Sequence, residues 1–213
     1  MPVLEQQVAV RLPSSGRLYR KRLFDMVCAA LGLLVLSPVL LVCALLVGLT
    51  SSGGVLFRQE RIGKDGVPFT IYKFRSMRKD NAGLKISTSR DTRITPVGRV
   101  LRKTKLDELP QLWNVLKGDM SFVGPRPEVR EYTDLYTPEQ RQVLMVRPGV
   151  TGLASIRYRN ENELLTASSD PNRTYIDEVM PAKLALDLKY IPRACVSYDI
   201  KLIWETLVTV VRD

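Results

Sequence analysis

Residues 26–50 read MVCAALGLLVLSPVLLVCALLVGLT, a run without a single charged side chain. A helix needs about 20 apolar residues to cross the hydrocarbon core of a bilayer, so the run is long enough to enter a membrane. A secretory signal peptide fits poorly, because its apolar region is only about 7 to 15 residues long and no clear cleavage site follows here. Ser37 and Pro38 fall near the middle. Proline removes a helix hydrogen bond and clashes with the carbonyl four residues back, so the helix must bend, and the Ser37 hydroxyl can satisfy a freed carbonyl at the bend. Two arrangements satisfy this pattern: a kinked spanning helix, or a helix that enters, bends and returns. Arg11, Arg17, Arg20, Lys21 and Arg22 precede the run, and Arg58, Arg61, Lys64, Lys73, Arg75, Arg78 and Lys79 follow it. The positive-inside bias places both flanks on the cytoplasmic side, which fits the returning form, although charge alone does not decide.

Outside this run the composition is that of a globular chain. It has 213 residues, 45% hydrophobic and 25% charged, enough for one core with an extension. The formal net charge of +10 calls for an anionic partner: nucleic acid, an acidic membrane surface or a phosphorylated substrate. Aromatic residues are only 7% and scattered, which argues against a nucleic-acid surface. There is no histidine, so a Ser-His-Asp triad, a histidine base and a histidine-bound metal are excluded and acid, base or metal chemistry falls to carboxylates. Cys28, Cys43 and Cys195 lie far apart, with neither zinc spacing nor a disulfide framework. Neither GxGxxG nor GxxxxGK[ST] occurs.

Downstream, VLFRQERIGKDGVPFTIYKFRSM alternates around a Lys-Asp-Gly turn and predicts a short hairpin, and Lys79 to Val97 reads as a polar loop. In LRKTKLDELPQLWNVLKGDM (101–120), Leu109, Leu112, Trp113 and Leu116 recur at helical spacing up to Gly118. On this fragment alone Asp107 reads as the helix N-cap and Pro110 as a first-turn proline, with no chemistry required. Gly124, Pro125 and Pro127 stiffen a turn around Arg126, and Arg147-Pro-Gly-Val-Thr-Gly152 forms a second stiff turn with its own arginine. Such turns suit phosphate recognition, because guanidinium pairs its N–H groups with phosphate oxygens. Asp199 to Val211 is an amphipathic helix that either packs on the core or lies in a membrane interface with Trp204 at headgroup depth.

Several stretches, in order, resemble the monotopic phosphoglycosyl transferases, the bacterial sugar transferase family: KRLFD (21–25), SP (37–38), FRQERIGKDGVPFTIYKFRSM (57–77), RITPVGRVLRKTKLDELPQLWNVLKGDMSFVGPRP (93–127) and VRPGVTG (146–152). The resemblance covers roughly residues 20 to 211. It implies transfer of sugar-1-phosphate from a UDP-sugar to polyprenyl (undecaprenyl) phosphate at the cytoplasmic face of the bacterial inner membrane, giving polyprenyl-diphosphate sugar and UMP. By the same resemblance Asp107 is the nucleophile, Glu108 is its required neighbour, and Asp107 and Glu108 hold Mg²⁺. Ser37 and Pro38 mark the bend of a re-entrant helix. Lys73, Arg75, Arg102, Arg126 and Arg147 are the candidate substrate-binding cations, needed to neutralise a phosphate approached by a carboxylate. A helix start at Asp107 would add N–H donors, so capping and catalysis are compatible there.

The expected fold is α/β mixed and mostly helical: a basic tail (1–20), a re-entrant helix-break-helix (21–52), and a small cytoplasmic catalytic domain (53–213) with interfacial amphipathic helices. The expected partners are a UDP-sugar, polyprenyl phosphate, the phospholipid membrane and, as an open question, a second copy in a homodimer; no nucleic acid is expected. The short segment before KRLFD leads to the expectation of a minimal, catalytic-domain-only form. The chain departs from the family at Leu153 and Ser155, where many relatives carry Trp and Gln, and at Cys195, where a relative can carry Ser. Those changes leave the sugar open. Asp187, Tyr190 and Asp199 match the family's C-terminal pattern. A non-catalytic membrane scaffold that binds polyprenyl phosphate is the competing reading.

Overall fold

The structure is a computed structural model and describes residues 9–51, 53–78 and 92–212. The first eight residues of the basic tail and residues 79–91 of the polar loop lie outside the described residues. Among the described residues the chain is mostly helical with two small sheets, as expected. Helices α1 (Ser15–Val35) and α2 (Ser37–Thr50) carry the apolar run. They meet at Leu36 with a bend of 63°, and among the described residues no single helix is long and apolar enough to cross a membrane. The Ser37 hydroxyl donates to the Leu34 carbonyl at 2.8 Å, and Pro38 falls in the first turn of α2, where its missing N–H costs nothing.

The hairpin forms as the alternation predicts: β1 (Leu56–Ile62) pairs antiparallel with β2 (Pro68–Phe74), Leu56 opposite Phe74 and Ile62 opposite Pro68. The polar loop ends earlier than predicted. Helix α3 (Pro96–Lys103) begins inside it, because the Thr95 hydroxyl accepts the Gly98 N–H at 2.9 Å and Pro96 pre-sets the first turn. Then come α4 (Gln111–Lys117), stopped by Gly118 at φ 99°, and β3 (Ser121–Val123). After the short helix α5 (Arg130–Thr133), β4 (Gly149–Thr151) pairs parallel with β3. A series of helices completes the chain: α6 (Leu153–Arg157), α7 (Glu161–Ala167), α8 (Pro171–Thr174), α9 (Met180–Tyr190) and α10 (Val196–Arg212).

Core packing ties the apolar pair to the rest. Ala29 of α1 is buried with Ile71, Val115 and Met120, and Cys43 and Val47 of α2 are buried with Phe74 and Leu101. At the base of α1, Lys21 is paired with Asp199 and donates to the Val123 carbonyl, while Asp25 accepts the Phe122 N–H at 3.2 Å. Buried charges are tolerated only when so partnered. The other face of the pair is bare: Leu31, Leu34, Val35, Leu41, Val42, Leu45 and Leu49 are exposed. Helix α10 packs one face in the core through Asp199 and Leu202 and leaves Ile200, Trp204 and Leu207 exposed.

Candidate active site

A short irregular connection brings Asp107 to a cavity, with Glu108 beside it. Arg102 lies in the last turn of α3, Lys105 turns the chain in the left-handed region at φ 58°, and Leu106–Glu108 make one 3-10 turn before α4. The left-handed region is unfavourable for a residue with a Cβ, so backbone strain sits two residues before Asp107. The capping expectation fails here. Asp107 lies in the 3-10 turn, Pro110 is the N-cap position of α4, and no side chain caps that helix. Asp107 is instead buried, and its Oδ1 has no hydrogen-bond partner among the described residues.

Glu108 is partnered by contrast. Its Oε1 accepts from Lys73 Nζ of β2 at 2.7 Å and from Arg126 Nη2 at 3.4 Å. Burial pushes the Glu108 carboxyl up, but Lys73 and Arg126 outweigh it and hold it well below the usual carboxylate range. Asp107 moves the other way, to about 6, because it is buried and faces the Glu108 charge. Two neighbouring acids with proton affinities driven apart can divide tasks, one staying a fixed anion while the other is a reactive carboxylate.

Asn114 sets the spacing between α4 and β2. Fully buried, it accepts the Tyr72 N–H at 3.1 Å and donates to the Thr70 carbonyl at 2.7 Å, completing the open edge of β2. The Arg126 turn is held from β1, where Ile62 N–H donates to the Glu128 carbonyl at 2.9 Å and Arg61 donates to the Pro127 carbonyl at 3.1 Å. Glu128 also pairs with Arg61 at 3.4 Å and accepts from the Tyr175 hydroxyl. Behind this turn Asp187 is buried and raised to about 7 by that burial, against the opposing charge of Lys183 and the nearby backbone N–H groups of Ala154 and Arg126. The two glycine turns are pressed together, since a Cβ on Gly149 would lie 2.1 Å from the Gly124 nitrogen.

The resulting cavity, of about 560 Å³, is lined by Lys73, Arg75, Arg102, Asp107 and Arg126. Arg61, Arg78, Arg93 and Lys183 add to its positive charge, and Glu128 and Glu161 are the other acids in its wall. Arg102 Nη1 is buried without a hydrogen-bond partner among the described residues. Arg75 reaches the cavity while donating to the Gly54 carbonyl at 3.0 Å and the Leu56 carbonyl at 3.1 Å. Arg147 does not join them. Its Nε donates to the Gly118 carbonyl at 2.8 Å at the end of α4, and it lines a smaller cleft with Lys21, Arg22 and Asp25. Its position next to a stiff turn suggested phosphate binding, but the turn aims it at a helix C-terminus, where a cation is also favourable.

Arg61, Glu128, Tyr175, Glu161 and Lys183 were not anticipated from the sequence. Only the unusual placement of Glu128 directly after Pro-Arg-Pro gave any local signal for them. Tyr190 and Asp199 serve the base of α1, with the Tyr190 hydroxyl donating to Asp199 Oδ1 at 2.7 Å.

Comparison with known proteins identifies the family. The bacterial sugar transferase family matches residues 16–213, and the chain belongs to that family. It is 41% identical over 194 residues to a UDP-glucose:undecaprenyl-phosphate glucose-1-phosphate transferase of Caulobacter vibrioides, covering 88% of this chain and 68% of the relative. To the Escherichia coli protein of that name it is 42% identical over 193 residues, 88% of this chain and 39% of the relative. A UDP-N-acetylgalactosamine-undecaprenyl-phosphate N-acetylgalactosaminephosphotransferase of Aeromonas hydrophila is 36% identical over 211 residues, 97% of this chain and 47% of the relative. The chain thus spans less than half the length of the latter two.

Proposed function

We propose that this protein moves sugar-1-phosphate from a UDP-sugar to polyprenyl phosphate at the cytoplasmic face of the bacterial inner membrane, through a covalent aspartyl phospho-sugar on Asp107. The observation that carries the reading is the buried, unpartnered Asp107 Oδ1 in an arginine-lined cavity. A buried carboxylate left without a partner costs folding free energy, and such defects concentrate where chemistry is done. A structural cap would have used that oxygen.

In the first step an Asp107 oxygen attacks the sugar-bearing phosphorus. A new O–P bond forms, the bond from that phosphorus to the bridging oxygen breaks, and UMP departs with the bridging oxygen. In the second step an oxygen of polyprenyl phosphate attacks the same phosphorus and the Asp107 carboxylate is released. Arg102, Lys73 and Arg126 offset the charge that gathers when anion attacks anion, and Arg75 extends this to the phosphates at the mouth. Glu108, ionised throughout, fixes Lys73 and Arg126 in place.

Mg²⁺ fits the donor set. Among the described residues no group of three or more His, Cys, Asp or Glu gathers to hold a metal ion. Mg²⁺ needs no such cage, because it is commonly bound by one or two carboxylates with substrate phosphates and water. Asp107 and Glu108 would hold it, and it would supply charge neutralisation on the diphosphate.

The bare apolar faces support a re-entrant placement. With α1 and α2 bent at Leu36 and buried in one leaflet, Trp113 of α4 and Ile200, Trp204 and Leu207 of α10 would lie at the interface. Single cysteines near Arg17 and near Lys64, in a background lacking Cys28, Cys43 and Cys195, are expected to react with an impermeant thiol reagent only from the cytoplasmic side. Labelling from opposite sides would establish a spanning helix instead.

Purified protein in nanodiscs with polyprenyl phosphate and a panel of UDP-sugars tests the reaction. At least one donor is expected to yield UMP and a polyprenyl-diphosphate sugar. A chain that binds polyprenyl phosphate and releases no UMP from any donor would be the scaffold.

A further inference from the structure

The cavity is larger than a diphosphate requires, and its two ends differ in chemistry. At one end Glu161 and Asn162 of α7 and Lys183 of α9 line the wall. Lys183 is only 6% exposed, yet among the described residues it makes one hydrogen bond, to Glu161 Oε2 at 2.7 Å, and otherwise lies over the Tyr175 ring at 5.2 Å. An ammonium group has three N–H donors, and leaving donors unpaired in a buried place is costly. Those donors, the Glu161 carboxylate and the Asn162 amide form a set that hydrogen-bonds hydroxyl groups.

Among the described residues that part of the wall offers no exposed ring face to a base. Tyr175 and Tyr132 are buried, their hydroxyls donate to Glu128 and to Asn172 Oδ1, and their rings pack on each other at 4.9 Å. Phe57 lies away from that wall, because it stands four residues along β1 from Arg61, which pairs with Glu128 beside Tyr175; it is 37% exposed with the Arg75 guanidinium 6.0 Å from its ring, a surface on which a planar base can stack. Asp107 lines the same cavity.

We propose that the Glu161, Asn162 and Lys183 wall reads the hydroxyls of the donor's hexosyl ring, making these the residues that select a neutral hexose. The proposal rests on the UDP-sugar reading above. The vicinal diol of the ribose presents the same chemistry, and the test separates the two rings.

The full-length protein in nanodiscs is titrated calorimetrically with UMP and with the UDP-hexose that wild type prefers, or UDP-glucose if none turns over, and kcat/KM is measured for that donor and for its deoxy analogues. Glu161→Gln and Lys183→Met are each expected to lower kcat/KM for the preferred donor by about 10- to 100-fold, the range for a hydrogen bond to a charged group. UMP affinity should stay at the wild-type value, which also reports that the variant is folded. One deoxy donor should be poor with wild type by a similar factor and insensitive to the same substitution. Loss of UMP affinity in step with donor affinity would place the ribose there and overturn the proposal, as would an unchanged ranking of donors in both variants. Binding and turnover also fail separately. Tighter binding of UDP-hexose than UMP that either substitution erases supports the hexosyl subsite even if wild type transfers nothing, whereas turnover without that difference overturns the subsite and leaves the transfer reading standing.

Discussion

Asp107→Asn is expected to abolish UMP release and, at the same time, to make the folded protein more stable at neutral pH. The loss follows because an amide is not a nucleophile toward phosphorus, and the surrounding cations cannot replace it. The gain follows from burial. Asp107 binds its proton more tightly in the folded protein, with a value near 6 against an ordinary 3.8, so ionising it at pH 7 works against folding. The sign is definite: this contribution is fully present below about pH 4 and is lost as pH rises through about 6. Two units correspond to roughly 3 kcal/mol at most, several degrees in melting temperature for a chain of this length. Thermal melts of wild type and variant in nanodiscs kept free of Mg²⁺, which would itself favour the ionised carboxylate, should diverge at pH 8 and converge at pH 4. Equal stability at both values would show that the site exacts no such cost, and near wild-type turnover would remove Asp107 as nucleophile.

Arg126→Ala is expected to slow transfer by about 10² to 10³, the range for removing one donor that stabilises developing charge. Its guanidinium lies at the cavity and on Glu108 Oε1, so the substitution also leaves Glu108 to Lys73 alone. Arg147→Ala supplies the contrast. That side chain closes the end of α4 on the Gly118 carbonyl and is absent from the cavity wall, so turnover should change by no more than about threefold at a temperature where the variant is folded. Measured kcat/KM values for the two variants check the assignment. Equal losses would return Arg147 to the site, and an unchanged rate for Arg126→Ala would take Arg126 out of it.

The contrast between these arginines marks how far the sequence could be read. The bent helix pair was legible because 25 uncharged residues broken at Ser37-Pro38 leave few alternatives, and the hairpin because Lys-Asp-Gly interrupts an alternating pattern. The start of α3 carried a Thr-Pro signature at 95–96 that the polar composition around it obscured. Asp107 reads as the cap of α4, but an intervening 3-10 turn leaves it three residues before the N-cap position at Pro110, a shift that periodicity cannot resolve. Arg126 and Arg147 look alike in sequence, and long-range contacts tell them apart: the Arg126 turn is held by Ile62 and Arg61 of β1, while Arg147 is drawn to the Gly118 carbonyl. The Glu128–Tyr175 and Glu161–Lys183 contacts join positions 47 and 22 residues apart, with no local pattern to announce either.

The covalent step is the centre of the mechanism, and a single mixing experiment reaches it. Enzyme, the donor sugar nucleotide and Mg²⁺ are combined without polyprenyl phosphate, UMP is followed through the first turnover, and the peptide containing Asp107 is weighed. A burst approaching one equivalent of UMP per active site, with a sugar-phosphate mass on that peptide, is the expected result. UMP that appears only after polyprenyl phosphate is added, with the Asp107 peptide unmodified, would contradict it and require both substrates to meet in one complex.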